Sequence, residues 1–354
     1  MDIVTSEQRI LAALNHEEAD RVPIWTIVDN SDVLRHFAPE GFDMARVAPG
    51  VKEGRWRALM DVSKAALVGL GIDGTFLCGM SAIDPFPRDE ADIKTIEWGH
   101  AQFDTLDDLA AFSPELPEYD TVAASYTDLF PKARDILAPE VTVGNQEGTS
   151  LESLTGRVGI ELMAYVMFER PAEIGRLLDA YSEGCRTRNR VVADNGLARV
   201  WQVSGDIAYK GATFYSPEFM RREYFPRLKR ELAPFKEAGI KVIYHTDGDV
   251  TEVVGDLIEA GIDALNPIET TSGMDLAALK KTFGKNLSFV GNVDANVMCM
   301  GTTDDVVREV KRCVREAACG GGLMFDCAAG EIGPGFKLDN VIAMCDAVRQ
   351  YGTY

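Results

Sequence analysis

The stretch Lys-Val-Ile-Tyr-His-Thr-Asp-Gly-Asp at 241–249 is a β-rich apolar run that passes directly into a polar turn containing glycine. A helical pattern precedes it. That pattern begins with Ser-Pro at 216–217, a favourable N-cap followed by a favourable first helical residue, and ends with Ala-Gly at 238–239. Another amphipathic segment follows from Val250. A strand between two helices, ending in a polar turn, is the repeating unit of a parallel α/β sheet.

The same unit recurs along the chain, and its count predicts the fold. Eight short runs have the composition and flanking residues of strands: 22–27, 73–77, 141–144, 200–203, 241–244, 264–266, 288–290 and 323–325. Eight strands that alternate with helices predict an α/β fold, a (β/α)8 TIM barrel, with an N-terminal helical extension. We therefore predict one domain over 1–354. A proline- and acid-rich segment at 83–139 is predicted to be an insertion at the barrel rim, either fixed or a mobile lid.

Composition excludes several classes of protein. The chain has 36 basic and 56 acidic residues and a net charge of −20, which disfavours nucleic acid, since affinity for its phosphates depends on lysine and arginine. No apolar run approaches the roughly 20 residues that cross a bilayer, and the N-terminus lacks the pattern of a signal peptide. Seven scattered cysteines without a Cys-x-x-Cys pair fit a reducing compartment. We expect a cytoplasmic protein with no nucleic-acid or membrane partner, and a homodimer is left open.

Polar side chains follow the later predicted strands. Asp206, His245 and Asp247 come after the fourth and fifth strands, and Asn266 and Asn292 lie at or just after the ends of the sixth and seventh. Taken singly, such residues are common helix caps and turn formers. In a parallel barrel, however, the carboxyl ends of all strands meet at one face, where active sites lie. Polar residues at several strand ends therefore favour a shared pocket.

Several segments resemble the uroporphyrinogen decarboxylase superfamily, and the resemblance extends over essentially the whole chain. It implies a TIM-barrel fold, in agreement with the strand count. The superfamily contains two chemistries, cofactor-free decarboxylation of a porphyrinogen and zinc-assisted methyl transfer to or from a corrinoid protein. The segments that carry the resemblance are Arg-Val-Pro-Ile-Trp at 21–25, Gly-Asp-Ile-Ala at 205–208, Ser-Pro-Glu-Phe at 216–219, Tyr-His-Thr-Asp-Gly at 244–248, Asp-Ala-Leu-Asn-Pro at 263–267 and Gly-Asn-Val-Asp at 291–294.

Two positions near the N-terminus disfavour porphyrinogen decarboxylation. The decarboxylases of this superfamily follow their Pro-x-Trp with two arginines that bind the carboxylates of the substrate. Here Val28 and Asp32 occupy the corresponding positions. Recognition of a polycarboxylate needs bidentate guanidinium contacts, which neither residue can make.

The zinc site that the resemblance implies is altered in this chain. The thiol methyltransferases of the superfamily hold zinc with a His-x-Cys pair and a distant cysteine. This chain keeps His245, has Asp247 in place of the first cysteine, and has Gly330 near the distal position, with Cys327 and Glu331 close by. The resemblance therefore predicts His245, Cys327 and Glu331 as metal ligands. Oxygen ligands leave zinc more Lewis acidic than thiolates do, which suits removal of a methyl group from an ether oxygen.

These residues predict a zinc-dependent methyltransferase that moves a methyl group from a small methoxylated substrate, aromatic ones included, to the cobalt of a separate corrinoid protein. The chain has no Asp-x-His-x-x-Gly segment of the corrinoid-binding type, so the corrinoid belongs to the partner. The alternatives are a metal-free decarboxylase of a small carboxylated substrate, a methylcorrinoid:thiol methyltransferase and a non-catalytic barrel.

Each candidate residue has an expected role. Asp206 and Asp247 are the predicted catalytic groups. Three roles are open for Asp247: a metal ligand, a residue that orients His245, or a helix cap. Glu147, after the third predicted strand, is expected to cap a helix. The predicted substrate-binding residues are Trp25 and Tyr165, as an aromatic wall, together with Asn266 and Asn292.

Overall fold

The computed structural model describes residues 4–48, 51, 54–78, 103 and 105–354. Over these residues the chain is an α/β protein built on a curled, seven-stranded parallel sheet of order β1-β2-β3-β6-β7-β8-β9, with a separate antiparallel pair, β4-β5. The strands are β1 Gly74–Cys78, β2 Thr142–Gly148, β3 Val200–Ser204, β4 Ala208–Tyr209, β5 Ala212–Thr213, β6 Lys241–His245, β7 Ala264–Asn266, β8 Ser288–Val290 and β9 Leu323–Met324.

Helices connect successive strands and cover the outside of the sheet. Helices α8 and α10 pack closely against each other, as do α14 and α15. The α-helices are α1 Ser6–Leu14, α2 Ser31–Phe37, α3 Arg55–Leu70, α4 Leu106–Ala111, α5 Tyr119–Leu137, α6 Ser150–Val158, α7 Ile160–Glu169, α8 Pro171–Asp194, α9 Pro217–Phe219, α10 Phe225–Glu237, α11 Val254–Ala260, α12 Leu276–Phe283, α13 Ala295–Met300, α14 Thr303–Ala317 and α15 Leu338–Tyr351.

The parallel α/β architecture is confirmed, but the first of the eight predicted strands does not form. Segment 21–28 instead lies between the two edge strands and makes isolated parallel bridges, Ile24 with Phe325 and Trp25 with Gly74. Pro23 has no N–H group to donate, which limits the ladder that this segment can build. The sheet therefore has seven strands and is not closed into an eight-stranded barrel.

A buried carboxylate ties this bridging segment to the sheet. Asp73, just before β1, accepts hydrogen bonds from the backbone N–H of Ile24 at 3.0 Å and from two guanidinium nitrogens of Arg21 at 2.7 and 2.9 Å. Arg9 of α1 adds a third cationic contact at 3.1 Å. The carboxylate is 1% exposed. It therefore joins the N-terminal helix, the bridging segment and the start of β1.

Helix α1 packs against the amino ends of β1 and β9. It begins at a capping box between Thr5 and Gln8, and its apolar side chains Ile10 and Leu14 are buried with Trp25 in the inner apolar cluster. Polar residues lie at the opposite, carboxyl-terminal end of the sheet.

The predicted insertion at 83–139 is described only in part, because 83–102 and 104 lie outside the described residues. Its remainder contains α4 and α5, and α5 packs against β2 and α8. Among the helices described, none combines the length and apolarity needed to cross a membrane.

Replacing the buried carboxylate tests its structural role. Asp73→Asn should lower the free energy of unfolding by about 3 kcal/mol, because two arginines lose their buried anionic partner. The matched control is Asp61→Asn on α3, whose ion pair with Arg57 is exposed and should contribute less than about 1 kcal/mol. Urea unfolding measures both. Equal effects of the two substitutions would contradict this role for Asp73.

Candidate metal centre

Three predicted site residues come together at the carboxyl end of the sheet. Asp206 follows β3, His245 is the last residue of β6, and Asp247 lies in the turn after it. Each offers one ligand atom, and these atoms all lie within 4.8 Å of one another. The Nε2 atom of His245 is 3.7 Å from Oδ1 of Asp206, and the backbone N–H of Asp247 donates to that same oxygen at 3.2 Å. Of the residues that the structure describes, this is the group spaced to hold a metal ion.

Asn266 sets the orientation of the imidazole ring. Its Nδ2 donates to the Val290 carbonyl at 3.3 Å and to the Asp326 carboxylate at 3.2 Å, so its Oδ1 faces Nδ1 of His245 at 2.7 Å. An amide oxygen only accepts, so Nδ1 of His245 carries the hydrogen that donates to it. In the neutral ring, Nε2 then carries a lone pair and can bind a metal ion together with the oxygens of Asp206 and Asp247. Asn266 therefore orients His245, and its contact with a substrate stays a prediction.

The charges in this cluster are strongly coupled. Burial lowers the pKa of His245, but the carboxylates of Asp206 and Asp247 outweigh burial and raise that pKa to about 9. Burial raises the pKa of Asp247 to about 6. The Oδ1 atom of Asp247 is buried and has no hydrogen-bond partner among the described residues. Buried polar atoms in native proteins are normally satisfied, and a divalent cation would satisfy this one. One imidazole nitrogen and carboxylate oxygens are also a donor set that zinc accepts, so the residues fit the implied metal.

Glu152 belongs to this site, and sequence reasoning missed it. It lies in the first turn of α6, and its Oε1 accepts a hydrogen bond from the Ser204 hydroxyl at 2.8 Å. Burial, reinforced by the Asp206 carboxylate, raises the pKa of Glu152 to about 7. Its Oε2 is buried without a partner among the described residues. The spacing Thr149-x-x-Glu152 is typical of a capping box, so the pattern gave no sign of a functional role.

The glycine at the predicted distal position lies against the ring of His245. A Cβ atom built on Gly330 would be 2.8 Å from Cε1 and 3.1 Å from Nδ1 of His245. Its backbone also has a φ of +73°, which favours glycine. The backbone of Gly330 therefore lies directly against the imidazole ring of His245.

The other two predicted metal ligands are not brought into the cluster. The thiol of Cys327 is buried and donates to the backbone carbonyl of Glu331 at 2.7 Å. Burial raises the pKa of this thiol well above its ordinary value, so it stays protonated in the metal-free protein. Metal ligation by Cys327 and Glu331 stays a prediction, and no described contact to His245 supports it. Asp247 does not act as a helix cap, since Asp249 accepts from the N–H of Thr251.

The predicted substrate residues occupy separate places. Trp25 is fully buried, and its indole N–H donates to Gln202 at 2.8 Å, whereas Tyr165 lies on α7 and is 53% exposed. The two do not form one aromatic wall. Asn292 is also buried and accepts from Arg312 of α14, so its side chain faces the outer helices.

Comparison with known proteins establishes the family. The model of the family described as uroporphyrinogen decarboxylase (URO-D) matches residues 133–351. The chain belongs to the URO-D family. No curated protein sequence is detectably similar to it.

A solved structure has the same fold as this URO-D chain. A methyltransferase from Methanosarcina mazei has 18% sequence identity and a TM-score of 0.71, with 99% of each chain covered. A D-psicose 3-epimerase from Clostridium cellulolyticum H10 is more distant, with 10% identity, a TM-score of 0.47 and coverage of 86% of this chain and 96% of the other. The first similarity shows a shared fold over the whole length of both chains.

A matched pair of substitutions tests the contact between Gly330 and His245. Gly330→Ala should displace the imidazole and weaken the binding of titrated Zn²⁺ by at least about tenfold, as expected when a group that positions a ligand is disturbed. Gly320→Ala is the control, because Gly320 has a φ of +78° and a Cβ atom built there would meet nothing within 4 Å. Calorimetry gives the affinity, and histidine NMR reports the ring. A shift of the His245 signals in both variants, or in neither, would contradict the assigned contact.

Proposed function

We propose that this URO-D chain is a zinc-dependent methyltransferase that moves a methyl group from a small methoxylated substrate, aromatic ones included, to the cobalt of a separate corrinoid protein. The observation that carries the proposal is the cluster of Asp206, His245 and Asp247 at the carboxyl end of the sheet. The fold shared with a methyltransferase from Methanosarcina mazei supports it.

The ligand types favour the demethylating direction. The cluster contains nitrogen and oxygen donors and no thiolate, and the thiol of Cys327 donates its hydrogen to the Glu331 carbonyl. Zinc held by such ligands would act as a Lewis acid on the ether oxygen of the substrate, making it a better leaving group. Methylation of a thiol would need two thiolate ligands on the zinc, and this cluster contains none.

The residues of the chain have distinct tasks in this reaction. Asn266 keeps Nε2 of His245 directed toward Asp206, and Gly330 lies against the ring. A reduced corrinoid on the partner would supply the electron pair that takes up the methyl group, and the electron pair of the broken carbon–oxygen bond would stay on the substrate oxygen. We assign Glu152 to give the departing oxygen its proton, because burial raises its pKa to about 7 and leaves it partly protonated at neutral pH.

The two residues at the decarboxylase arginine positions support the choice against a porphyrinogen. Val28 is 3% exposed and packs in the core, and Asp32 is an exposed residue of α2 that pairs with Arg35. Neither supplies a cation for a polycarboxylate substrate.

A metal-free decarboxylase of a small carboxylic acid is the second candidate. The observation that favours it is the raised pKa of His245, which leaves a charged imidazolium beside Asp206 without any metal. Such a pair could serve acid–base chemistry in the apoprotein. Release of carbon dioxide in the presence of a strong chelator would identify this function.

Two substitutions separate metal binding from proton transfer. Asp206→Asn should lose stoichiometric zinc, whereas Glu152→Gln should keep zinc and lower the rate of methyl transfer by about 10²–10⁴-fold, the usual contribution of a general acid. The assay uses methoxybenzoates and methoxyphenols with cob(I)alamin as acceptor, and elemental analysis gives the zinc content.

Asp249→Asn is the matched control, because Asp249 lies in the same turn but only caps Thr251. It should keep both zinc and activity. Full zinc content and activity in Asp206→Asn would contradict the assigned centre, and full activity in Glu152→Gln would contradict the assigned proton donor.

A further inference from the structure

A cavity lies outside the metal centre, between α5 and α8 at the carboxyl end of β2. Its volume is about 540 Å³, within the range of pockets that bind small molecules. None of its lining residues belongs to β3 or β6, the strands that lead to Asp206 and His245. The lining residues are Pro117, Thr121, Val122, Ser125, Tyr126, Gln146, Glu147, Gly148 and Arg188.

A partly buried ion pair lines this cavity. Glu147 of β2 and Arg188 of α8 are paired at 3.0 Å, with side chains 10% and 26% exposed. Glu147 also accepts from the hydroxyl of Tyr126 and from the side-chain amide of Asn145. It therefore does not cap a helix as predicted. Both of its oxygens are already occupied, so it has little capacity left for a ligand.

Arg188 keeps one terminal nitrogen, Nη1, whose N–H groups are unused. Its Nε donates to Glu147 and its Nη2 to the sulfur of Cys185 at 3.2 Å, while Nη1 has no hydrogen-bond partner among the described residues. The exposed hydroxyls of Thr121 and Ser125 lie in the same lining. These groups offer hydrogen-bond donors, and a guanidinium whose position is fixed by two contacts is well suited to a carboxylate.

The rest of the lining is suited to the apolar part of a ligand. Pro117, Val122 and the ring of Tyr126 give the cavity apolar surface beside the guanidinium. A ligand with one carboxylate and a single ring or short chain would use both kinds of surface. A polyanion would meet the negative charge of Glu147, which limits the ligand to one acidic group.

We propose that this cavity is a second ligand site, which binds a small organic monocarboxylate with Arg188 as the anion receptor. The site does not depend on methyl transfer or on zinc, so its test is independent of the function proposed above.

Benzoate is the probe, and calorimetry on the zinc-free full chain measures its binding, so that a carboxylate held by zinc at the metal centre does not contribute. Removing both charges, in Glu147→Gln with Arg188→Gln, should weaken benzoate binding by at least about tenfold, since a charge-assisted contact is lost. Benzamide, which has the same ring without the charge, should bind the native chain more weakly and should be insensitive to that double substitution.

Two further variants complete the test. Ser125→Phe fills the cavity from its exposed side without touching the ion pair, and it should abolish benzoate binding. Arg186→Gln is the matched control, because Arg186 lies on the same helix but pairs with Glu183 at the surface. It should leave the affinity unchanged. No benzoate binding to the native chain, or binding that survives both the double substitution and Ser125→Phe, would overturn the proposal.

Discussion

The parallel pairing of β3, β6 and β7 is the constraint on which the candidate site depends. Ser204 lies opposite His245, and His245 lies opposite Asn266. Because these strands end at the same level, the turn residues Asp206 and Asp247 lie beside the imidazole, and the amide of Asn266 reaches its Nδ1. A shift of β6 by one residue would turn His245 to the other face of the sheet and remove the site.

The chemistry follows from an excess of buried negative groups around a single imidazole. Asp206, Asp247 and Glu152 act on His245 electrostatically, and Asp326 is joined to it through Asn266. Burial raises the pKa of Asp326 to about 7, as it does for Glu152. Carboxylates taken out of water need cationic compensation. In the apoprotein the protonated imidazole provides part of it, and a bound divalent cation would provide more. The acidity of this cluster thus favours a cation site over a site for polyanionic substrates.

Sequence patterns predicted the seven strands of the parallel sheet, because each is a β-rich run bounded by glycine or polar residues. They wrongly predicted the first strand, because a strand also needs backbone partners for its N–H groups. In the first predicted strand, Pro23 lacks an N–H, and the N–H of Ile24 bonds to Asp73 instead of extending a ladder. The proline is visible in the sequence, but the bond from Ile24 to Asp73 is a tertiary contact that a strand pattern does not reveal.

The same distinction applies to the site. Asp206 and His245 could be predicted, because their place after a strand fixes where they lie. Cys327 and Glu152 could not be placed, because the direction of a side chain in a loop or in a first helical turn depends on packing. The thiol of Cys327 donates a hydrogen bond to Glu331 in its own loop, and the carboxylate of Glu152 accepts one from Ser204. Sequence position thus locates strand ends well and loop side chains poorly.

X-ray absorption spectroscopy at the zinc edge tests the central claim most directly. The purified, zinc-loaded chain should show nitrogen and oxygen donors at about 2.0–2.2 Å, including the imidazole of His245, and no sulfur. The imidazole signal should disappear in His245→Ala. A sulfur donor at about 2.3 Å would instead place Cys327 or another cysteine on the metal, and would contradict a centre built from Asp206, His245 and Asp247.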